Sequence, residues 1–116
     1  MASSDPVPCH LYIGAEAIWF AGGDQSDYID FWAGTPVQAL LNDKLANITI
    51  GGTSAGAAIL GGRAIFSSSN GTVDSYTAMA DPFGPLMQLV PPLLAIPFLG
   101  SFVTDTHFVT RNRMGR

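Results

Sequence analysis

One serine of this chain lies in a pattern that suits nucleophilic chemistry. Residues 52–56, Gly-Thr-Ser-Ala-Gly, fit G-x-S-x-G, in which a serine occupies a strained turn between a strand and a helix. The neighbours of Ser54 must then be small, because strand and helix approach closely at the turn. The backbone N–H of Ala55 would donate a hydrogen bond to an oxyanion formed during acyl transfer. A glycine-rich packing turn with an incidental serine is the alternative interpretation.

A nucleophilic serine also needs a base within hydrogen-bonding reach. His10 lies in an irregular leader, whereas His107 directly follows a predicted strand, so His107 is the candidate base and a purely structural histidine is the alternative. A carboxylate usually orients such an imidazole. Asp74 lies between Ser54 and His107 in the chain and is the candidate for this role, with Asp105 as a rival.

Polar residues follow the first predicted strand at the same edge of the sheet. Gly22 and Gly23 end that strand, and the N–H of Gly23 is a candidate for a second oxyanion donor. Asp24 and Gln25 come next and would line the same edge. An ordinary strand-to-helix turn explains the two glycines equally well.

Positive charge is concentrated at the end of the chain. Residues 1–104 carry eight acids and two bases, for a net charge of −6, whereas residues 105–116 carry one acid and three arginines, for +2. Guanidinium groups fork onto carboxylates, so Arg111, Arg113 and Arg116 predict a pocket for an acidic substrate group, unless they form a solvated tail. The overall charge of −4 argues against a nucleic-acid partner.

The composition predicts one small globular domain. The chain has 116 residues, of which 47% are hydrophobic and 12% charged. Cys9 is the single cysteine, so no intrachain disulfide forms, and without a recognisable signal peptide we expect a cytoplasmic protein. The uncharged stretch 82–104 contains five prolines, which argue against a membrane-spanning helix.

The elements that must position these groups alternate between strand and helix. Strands are predicted within 15–23, within 46–52 and over Ser101–Thr104. Between them we predict one helix from Ser26, one capped by Thr35 with Pro36 in its first turn, one of small residues from Ala55, and a short one over 75–80. This order predicts an α/β fold, a parallel sheet with flanking helices. The carboxyl ends of the strands then bring Ser54 and His107 to one edge.

Three segments together resemble a known family. IWFAGGDQSDY (18–28), GGTSAGAA (51–58) and DTHFVTRNRMGR (105–116) look like the cyanophycinase and dipeptidase E family of serine peptidases. FWAGTPVQ (31–38) and NGTVDSYTAMADPF (70–83) resemble cyanophycinase-type members. The resemblance covers roughly residues 15–116, which leaves 1–14 as an irregular leader. It implies a fold like the class I glutamine amidotransferases, and neither a metal nor an organic cofactor.

The resemblance also implies roles for individual residues. Ser54 is the implied nucleophile, His107 the base, and Gly23 and Ala55 the oxyanion donors. A further set matches positions that shape a pocket for β-aspartyl substrates: Gln25, Asp105, Arg111, Arg113 and Arg116. Cyanophycin-degrading members release β-aspartyl-arginine from a polymer with an aspartate backbone and arginine side groups.

The chain departs from the family pattern at three points. Related sequences usually carry acids in the stretch that matches Ser75-Tyr76-Thr77, which leaves Asp74 as the nearby acid here. The cyanobacterial enzymes have Gln where Thr106 stands. The family domain is longer at both ends, so we expect a fragment whose open strand edges and apolar faces favour homo-oligomers.

Our leading hypothesis is a serine peptidase that hydrolyses β-aspartyl peptides through an acyl-enzyme. The alternative from another class is an inactive truncated remnant or a partner-binding pseudoenzyme. A generic α/β-hydrolase esterase is the third hypothesis. The expected partner is an acidic or β-aspartyl peptide, with neither nucleic acid nor membrane.

Overall fold

Two short parallel strands lie at the centre of the fold. The computed structural model describes residues 14–67 and 73–116, so the leader predicted for 1–14 lies outside the described residues except for its last position. Strand β1 (Ala17–Phe20) pairs in parallel with β2 (Thr49–Gly52), in the register Ala17 opposite Thr49 and Phe20 opposite Gly52. This parallel pairing confirms the α/β fold class and the first two predicted strands.

Two helices form the connection between these strands. Helix α1 (Gln25–Trp32) begins after Asp24, whose side chain accepts a hydrogen bond of 2.9 Å from the N–H of Ser26. The prediction that the helix starts from Ser26 is therefore wrong by one residue, because the carboxylate rather than the hydroxyl caps it. Helix α2 (Pro36–Lys44) begins after Thr35 with proline in its first turn, as predicted.

The core lies against one face of the parallel pair. Its buried side chains are Ile18, Phe20, Leu41, Ile59, Ile65, Leu93 and Leu94. Tyr28 and Trp32 pack on Phe20, with ring centroids 6.3 and 6.1 Å away. Phe31, an aromatic residue of the same helix, is 65% exposed. The apolar side of α1 is therefore narrower than its aromatic residues indicate.

The other face of the pair is open to solvent. Trp19 is 70% exposed and lies over Gly51, where an added Cβ would come within 2.6 Å of the indole ring. Glycine at this position gives the large ring room to lie on the neighbouring strand. The expected exposure of apolar surface is confirmed here, and self-association stays a prediction.

The chain beyond β2 forms short elements. Helix α3 (Ala55–Ala58) has a single turn, and β3 (Ile65–Phe66) pairs antiparallel with β4 (Leu89–Val90). Helix α4 (Ser75–Ala80) ends before Asp81-Pro82, as the sequence predicts. A 3-10 turn spans Pro97–Leu99. The helix of small residues predicted from Ala55 is confirmed only for its first turn.

The prediction of a third strand over Ser101–Thr104 is wrong. This segment is not in a sheet, and within the described residues a single backbone bond joins it to a distant segment, from Arg63 N–H to Phe102 O at 3.0 Å. Its apolar residues Phe102 and Val103 are exposed. The β-rich composition of the segment therefore does not lead to sheet pairing, because no neighbouring strand is alongside. In the part of the chain that the structure describes, every helix is too short to span a membrane.

Candidate active site

Ser54 occupies a strained turn between β2 and α3. Its backbone has φ +53° and ψ −118°, a region that residues with a side chain rarely adopt. Such a conformation costs on the order of 1–3 kcal/mol and is found mainly at functional sites. The strand, the turn and the helix therefore have the geometry that the G-x-S-x-G pattern predicts.

Backbone contacts explain the glycines on either side of the serine. A Cβ on Gly52 would lie 2.4 Å from the carbonyl oxygen of Gly56, and a Cβ on Gly56 would lie 2.1 Å from the carbonyl oxygen of Phe20. Both contacts are with backbone, which cannot swing aside as a side chain does. The close-packing interpretation of the motif is thus correct as well, because the packing is what holds Ser54 in its turn.

His107 reaches the serine from the other end of the described chain. Its Nε2 lies 2.7 Å from Ser54 Oγ, and both side chains are half-buried. With the imidazole proton on Nδ1, the serine hydroxyl donates this hydrogen bond to Nε2. His107 has φ +61°, and its carbonyl accepts the N–H of Arg111 at 3.0 Å, so the ring is presented from a tight turn. The structure brings together the two residues that the sequence pairs as nucleophile and base.

The candidate carboxylate is used elsewhere. Asp74 is the N-cap of α4, and its Oδ1 accepts the N–H of Thr77 at 2.8 Å. This hydrogen bonding lowers the pKa of Asp74 below its usual value. Within residues 14–67 and 73–116, the side-chain hydrogen bond of His107 is the one to Ser54. The carboxylate of Asp74 therefore does not contact His107 in this structure, and its orienting role stays a prediction.

The predicted oxyanion donors are not engaged by other groups. Among the described residues, neither Gly23 N–H nor Ala55 N–H donates to a protein acceptor. Ala55 is buried at the first position of α3, directly after Ser54. A Cβ on Gly22 would lie 3.3 Å from Ser54 Cβ, so the glycine turn after β1 adjoins the serine. Both N–H groups remain available to a ligand near Ser54 Oγ.

A polar pocket of about 120 Å³ adjoins this turn. Four predicted binding residues share its wall with Gly23, namely Gln25, Arg111, Arg113 and Arg116. The remaining wall includes Phe66 at the end of β3, Ser67 directly after it, Val73 before α4, and Leu86 and Gln88 before β4. Sequence reasoning missed these residues because they lie in loops and short strands that have no motif of their own. Their proximity depends on the β3–β4 pairing, which no local pattern indicates.

Asp105 holds the arginines rather than lining the pocket. Its carboxylate forms a two-pronged ion pair with Arg116, whose Nε lies 2.7 Å from Oδ2 and whose Nη2 bonds Oδ1. Arg116 also donates to the carbonyl of Val73 at 3.1 Å and stacks over Phe66, 4.8 Å from the ring centroid. A bidentate pair with both partners buried fixes the guanidinium plane. The family resemblance implies that Asp105 shapes the pocket, whereas in the structure its carboxylate lies behind the lining residues and pairs with Arg116.

Arg113 is also buried. It is 5% exposed and donates through Nη1 to the carbonyl of Thr106 at 3.0 Å. Its Nε has no hydrogen-bond partner in the described part of the chain. Burial and the neighbouring Arg116 lower the pKa of Arg113, yet a guanidinium remains charged in proteins. The pocket wall thus carries three cations and the carboxylate of Asp24, with Asp105 behind Arg116, and the excess of positive charge favours an anionic ligand.

Curated proteins with known names match this chain. The protein named Cyanophycinase from Geminocystis herdmanii (strain PCC 6308) is 34% identical over 102 residues, or 86% of the chain. The proteins of that name from Trichormus variabilis (strain ATCC 29413 / PCC 7937) and Nostoc sp. (strain PCC 7120 / SAG 25.82 / UTEX 2576) are 30% identical over 101 residues. The chain is cyanophycinase-like. No protein-family profile matches it.

The cyanophycinase-like region is a minor part of each relative. The chain spans 34% of the Geminocystis protein and 30% of the other two, so about a third of their length is compared. The similarity confirms the family resemblance that the three sequence segments predict, and the α/β fold agrees with it.

Proposed function

We propose that this cyanophycinase-like protein is a serine peptidase that hydrolyses β-aspartyl-linked peptides, releasing β-aspartyl-arginine from cyanophycin. The observation that carries the proposal is the contact of 2.7 Å between Ser54 Oγ and His107 Nε2 at a strained turn. The names of the relatives support the substrate class.

The proposed reaction begins with the serine hydroxyl. His107 Nε2 accepts its proton while Oγ attacks the substrate carbonyl carbon, and the carbonyl electron pair moves onto oxygen. The N–H groups of Gly23 and Ala55 stabilise this oxyanion. His107 then gives the proton to the leaving nitrogen, the C–N bond breaks, and an acyl-enzyme remains on Ser54.

Water completes the proposed cycle. His107 accepts a proton from the water as its oxygen attacks the acyl carbon, and returns that proton to Oγ as the ester bond breaks. The product carboxylic acid leaves and Ser54 is restored. The same histidine thus serves as base and then as acid in both halves of the reaction.

The arginine pocket supplies the proposed recognition of the substrate. Arg111 is exposed at its mouth, while Arg113 and Arg116 are held in place from behind. A carboxylate of the β-aspartyl group would accept hydrogen bonds from guanidinium N–H groups that face the pocket. Gln25 adds an amide to the same wall.

Two measurements test this function on the purified chain. A fluorophosphonate probe should label the protein, and labelling should disappear in Ser54→Ala and fall strongly in His107→Ala. Chromatography of cyanophycin digests should show β-aspartyl-arginine with the same dependence on Ser54. Labelling that persists in Ser54→Ala would refute the nucleophile, and hydrolysis of short esters without any aspartyl peptide would favour the esterase hypothesis.

A pseudoenzyme is the second candidate function. It is favoured by the position of Asp74, whose carboxylate caps α4 rather than bonding His107. Without an orienting carboxylate, the imidazole loses the partner that holds its tautomer, which in a serine peptidase lowers turnover by about 10⁴-fold. Binding of a β-aspartyl dipeptide without any hydrolysis would support this candidate.

A further inference from the structure

Thr104 links the histidine segment to the helix that follows the serine. Its Oγ1 lies 2.9 Å from the carbonyl oxygen of Ala57 and 2.9 Å from that of Ala58. Thr104 is half-buried and precedes His107 by three residues. No role in the site was assigned to it from the sequence, where it is only the end of a predicted strand.

The hydroxyl of Thr104 provides a hydrogen-bond donor to carbonyl groups at the end of α3. The last carbonyls of any helix lack partners within it, and α3 has a single turn. The hydroxyl of Thr104 has one hydrogen, which is shared between the carbonyls of Ala57 and Ala58. A threonine from a distant segment thus acts as the C-terminal cap of α3.

The backbone of Thr104 is also closely packed. A Cβ on Gly61 would lie 3.0 Å from the backbone N of Thr104 and 3.2 Å from its Oγ1. The residue is therefore held on its backbone side by the turn after α3 and on its side chain by the end of that helix. Little room is left for the segment to shift along α3.

These contacts link Ser54, α3, Thr104 and His107 in a closed loop. Ser54 begins α3, Thr104 is bonded to the end of α3, and His107 is bonded back to Ser54. We propose that Thr104 is a positioning residue, whose hydroxyl fixes the segment 104–107 so that His107 Nε2 meets Ser54 Oγ. The expected effect of Thr104 on the reaction rate of Ser54 rests on the proposed function. Its expected effect on the position of His107 does not.

Two substitutions separate the hydroxyl from the shape of the side chain. Thr104→Val keeps the volume and removes the hydrogen bond, whereas Thr104→Ser keeps the hydroxyl and removes the methyl group. Displacement of a catalytic group by about 1 Å costs on the order of 10²-fold in rate. We therefore expect the rate of fluorophosphonate labelling of Ser54 to fall about tenfold or more in Thr104→Val. In Thr104→Ser it should stay within about threefold of the unsubstituted protein.

A second measurement does not depend on activity. The ¹⁵N resonance of His107 Nε2 should shift when Ser54→Ala removes its hydrogen-bond partner. In the Thr104→Val background, the same Ser54→Ala substitution should leave that resonance nearly unchanged, because the contact is already lost. Circular dichroism and urea unfolding verify that each variant is folded.

The outcomes distinguish this proposal from the proposed function. A wild-type labelling rate and an intact Ser54-dependent shift in Thr104→Val would overturn the positioning role. Absence of labelling in the unsubstituted protein, together with loss of the shift in Thr104→Val, would refute the peptidase and support the positioning role. If Thr104→Val does not fold, Thr104→Ala replaces it in both measurements, with the same criteria.

Discussion

Replacing the proposed nucleophile by glycine should give a more stable protein than replacing it by alanine. Ser54 has φ +53° and ψ −118°, a conformation that glycine adopts without a Cβ clash. Ser54→Ala is the matched control, because both substitutions remove the hydroxyl and its hydrogen bond to His107, while alanine keeps the strained Cβ. The difference between the two variants therefore isolates the backbone strain.

The expected size follows from two opposing terms. The strained conformation costs on the order of 1–3 kcal/mol, which the glycine variant recovers. Glycine also makes the unfolded chain more flexible, at a cost of about 0.5–1 kcal/mol relative to alanine. The Ser54→Gly variant should accordingly have a free energy of unfolding about 0.5–2 kcal/mol higher than Ser54→Ala.

Urea unfolding at 25 °C, followed by circular dichroism, measures this difference. The two variants should have the same slope and different midpoints, which identifies a change of stability rather than of denatured-state compactness. Fluorophosphonate labelling should be lost in both. At an ordinary site glycine is the less stable of the two, so a midpoint for Ser54→Gly at or below that of Ser54→Ala would refute the strain at this turn.

Three further predictions concern the helix packing, the cap of α4 and the arginine segment. Gly56→Ala places a Cβ against the backbone of Phe20, so it should lower the free energy of unfolding by about 1–3 kcal/mol or more, although alanine favours helix. A urea midpoint equal to that of the unsubstituted protein would contradict this packing. Because the pKa of Asp74 is lowered in the folded protein, its carboxylate stabilises the fold at pH values above the usual pKa of 3.8, and this stabilisation is lost as pH falls through the folded-state pKa. The free energy of unfolding, measured between pH 5 and 2, should therefore fall with pH by an amount that is missing in Asp74→Asn. Asparagine still caps helices, so wild-type labelling of Asp74→Asn would exclude a triad role, and a strong loss would support one. The Ser75 hydroxyl donates to the carbonyl of Asn112 at 2.6 Å and accepts the N–H of Gly115 at 2.8 Å, which ties it to the segment that carries the arginines. Ser75→Ala should therefore raise KM for a β-aspartyl dipeptide severalfold. An unchanged KM, or an equal loss of labelling by an uncharged probe, would count against this link.

Local sequence patterns predicted the parts of the fold that depend on neighbouring residues. The strands around 17–20 and 49–52, the proline at the start of α2 and the end of α4 at Asp81-Pro82 all follow from side-chain periodicity and backbone preferences. The serine turn belongs to this group, because the glycines that it requires are adjacent in the chain. The sequence also paired Ser54 with His107, but through a strand at 101–104 that does not form, so their contact depends on how a loop packs on the fold.

Tertiary contacts decided what local patterns leave open. Segment 101–104 has the composition of a strand, but it found no neighbouring strand, and its threonine caps a helix instead. Asp105 is an acid near the site in sequence, yet its carboxylate pairs with Arg116. Asp74 differs, because it caps α4 through a local contact with Thr77, three residues along the chain. A carboxylate binds whichever donor the fold brings closest, and periodicity carries no information about that donor.

The sequence by itself thus determined the residues that could do chemistry and the turn that presents the serine. Only the tertiary structure decided how they are held: the 2.7 Å contact of Ser54 with His107, Arg116 fixed by Asp105, and the cap supplied by Thr104. The physical reason is the range of the interactions involved. Backbone strain and the N-caps of helices act over a few residues, whereas these contacts join groups up to 53 residues apart in the chain.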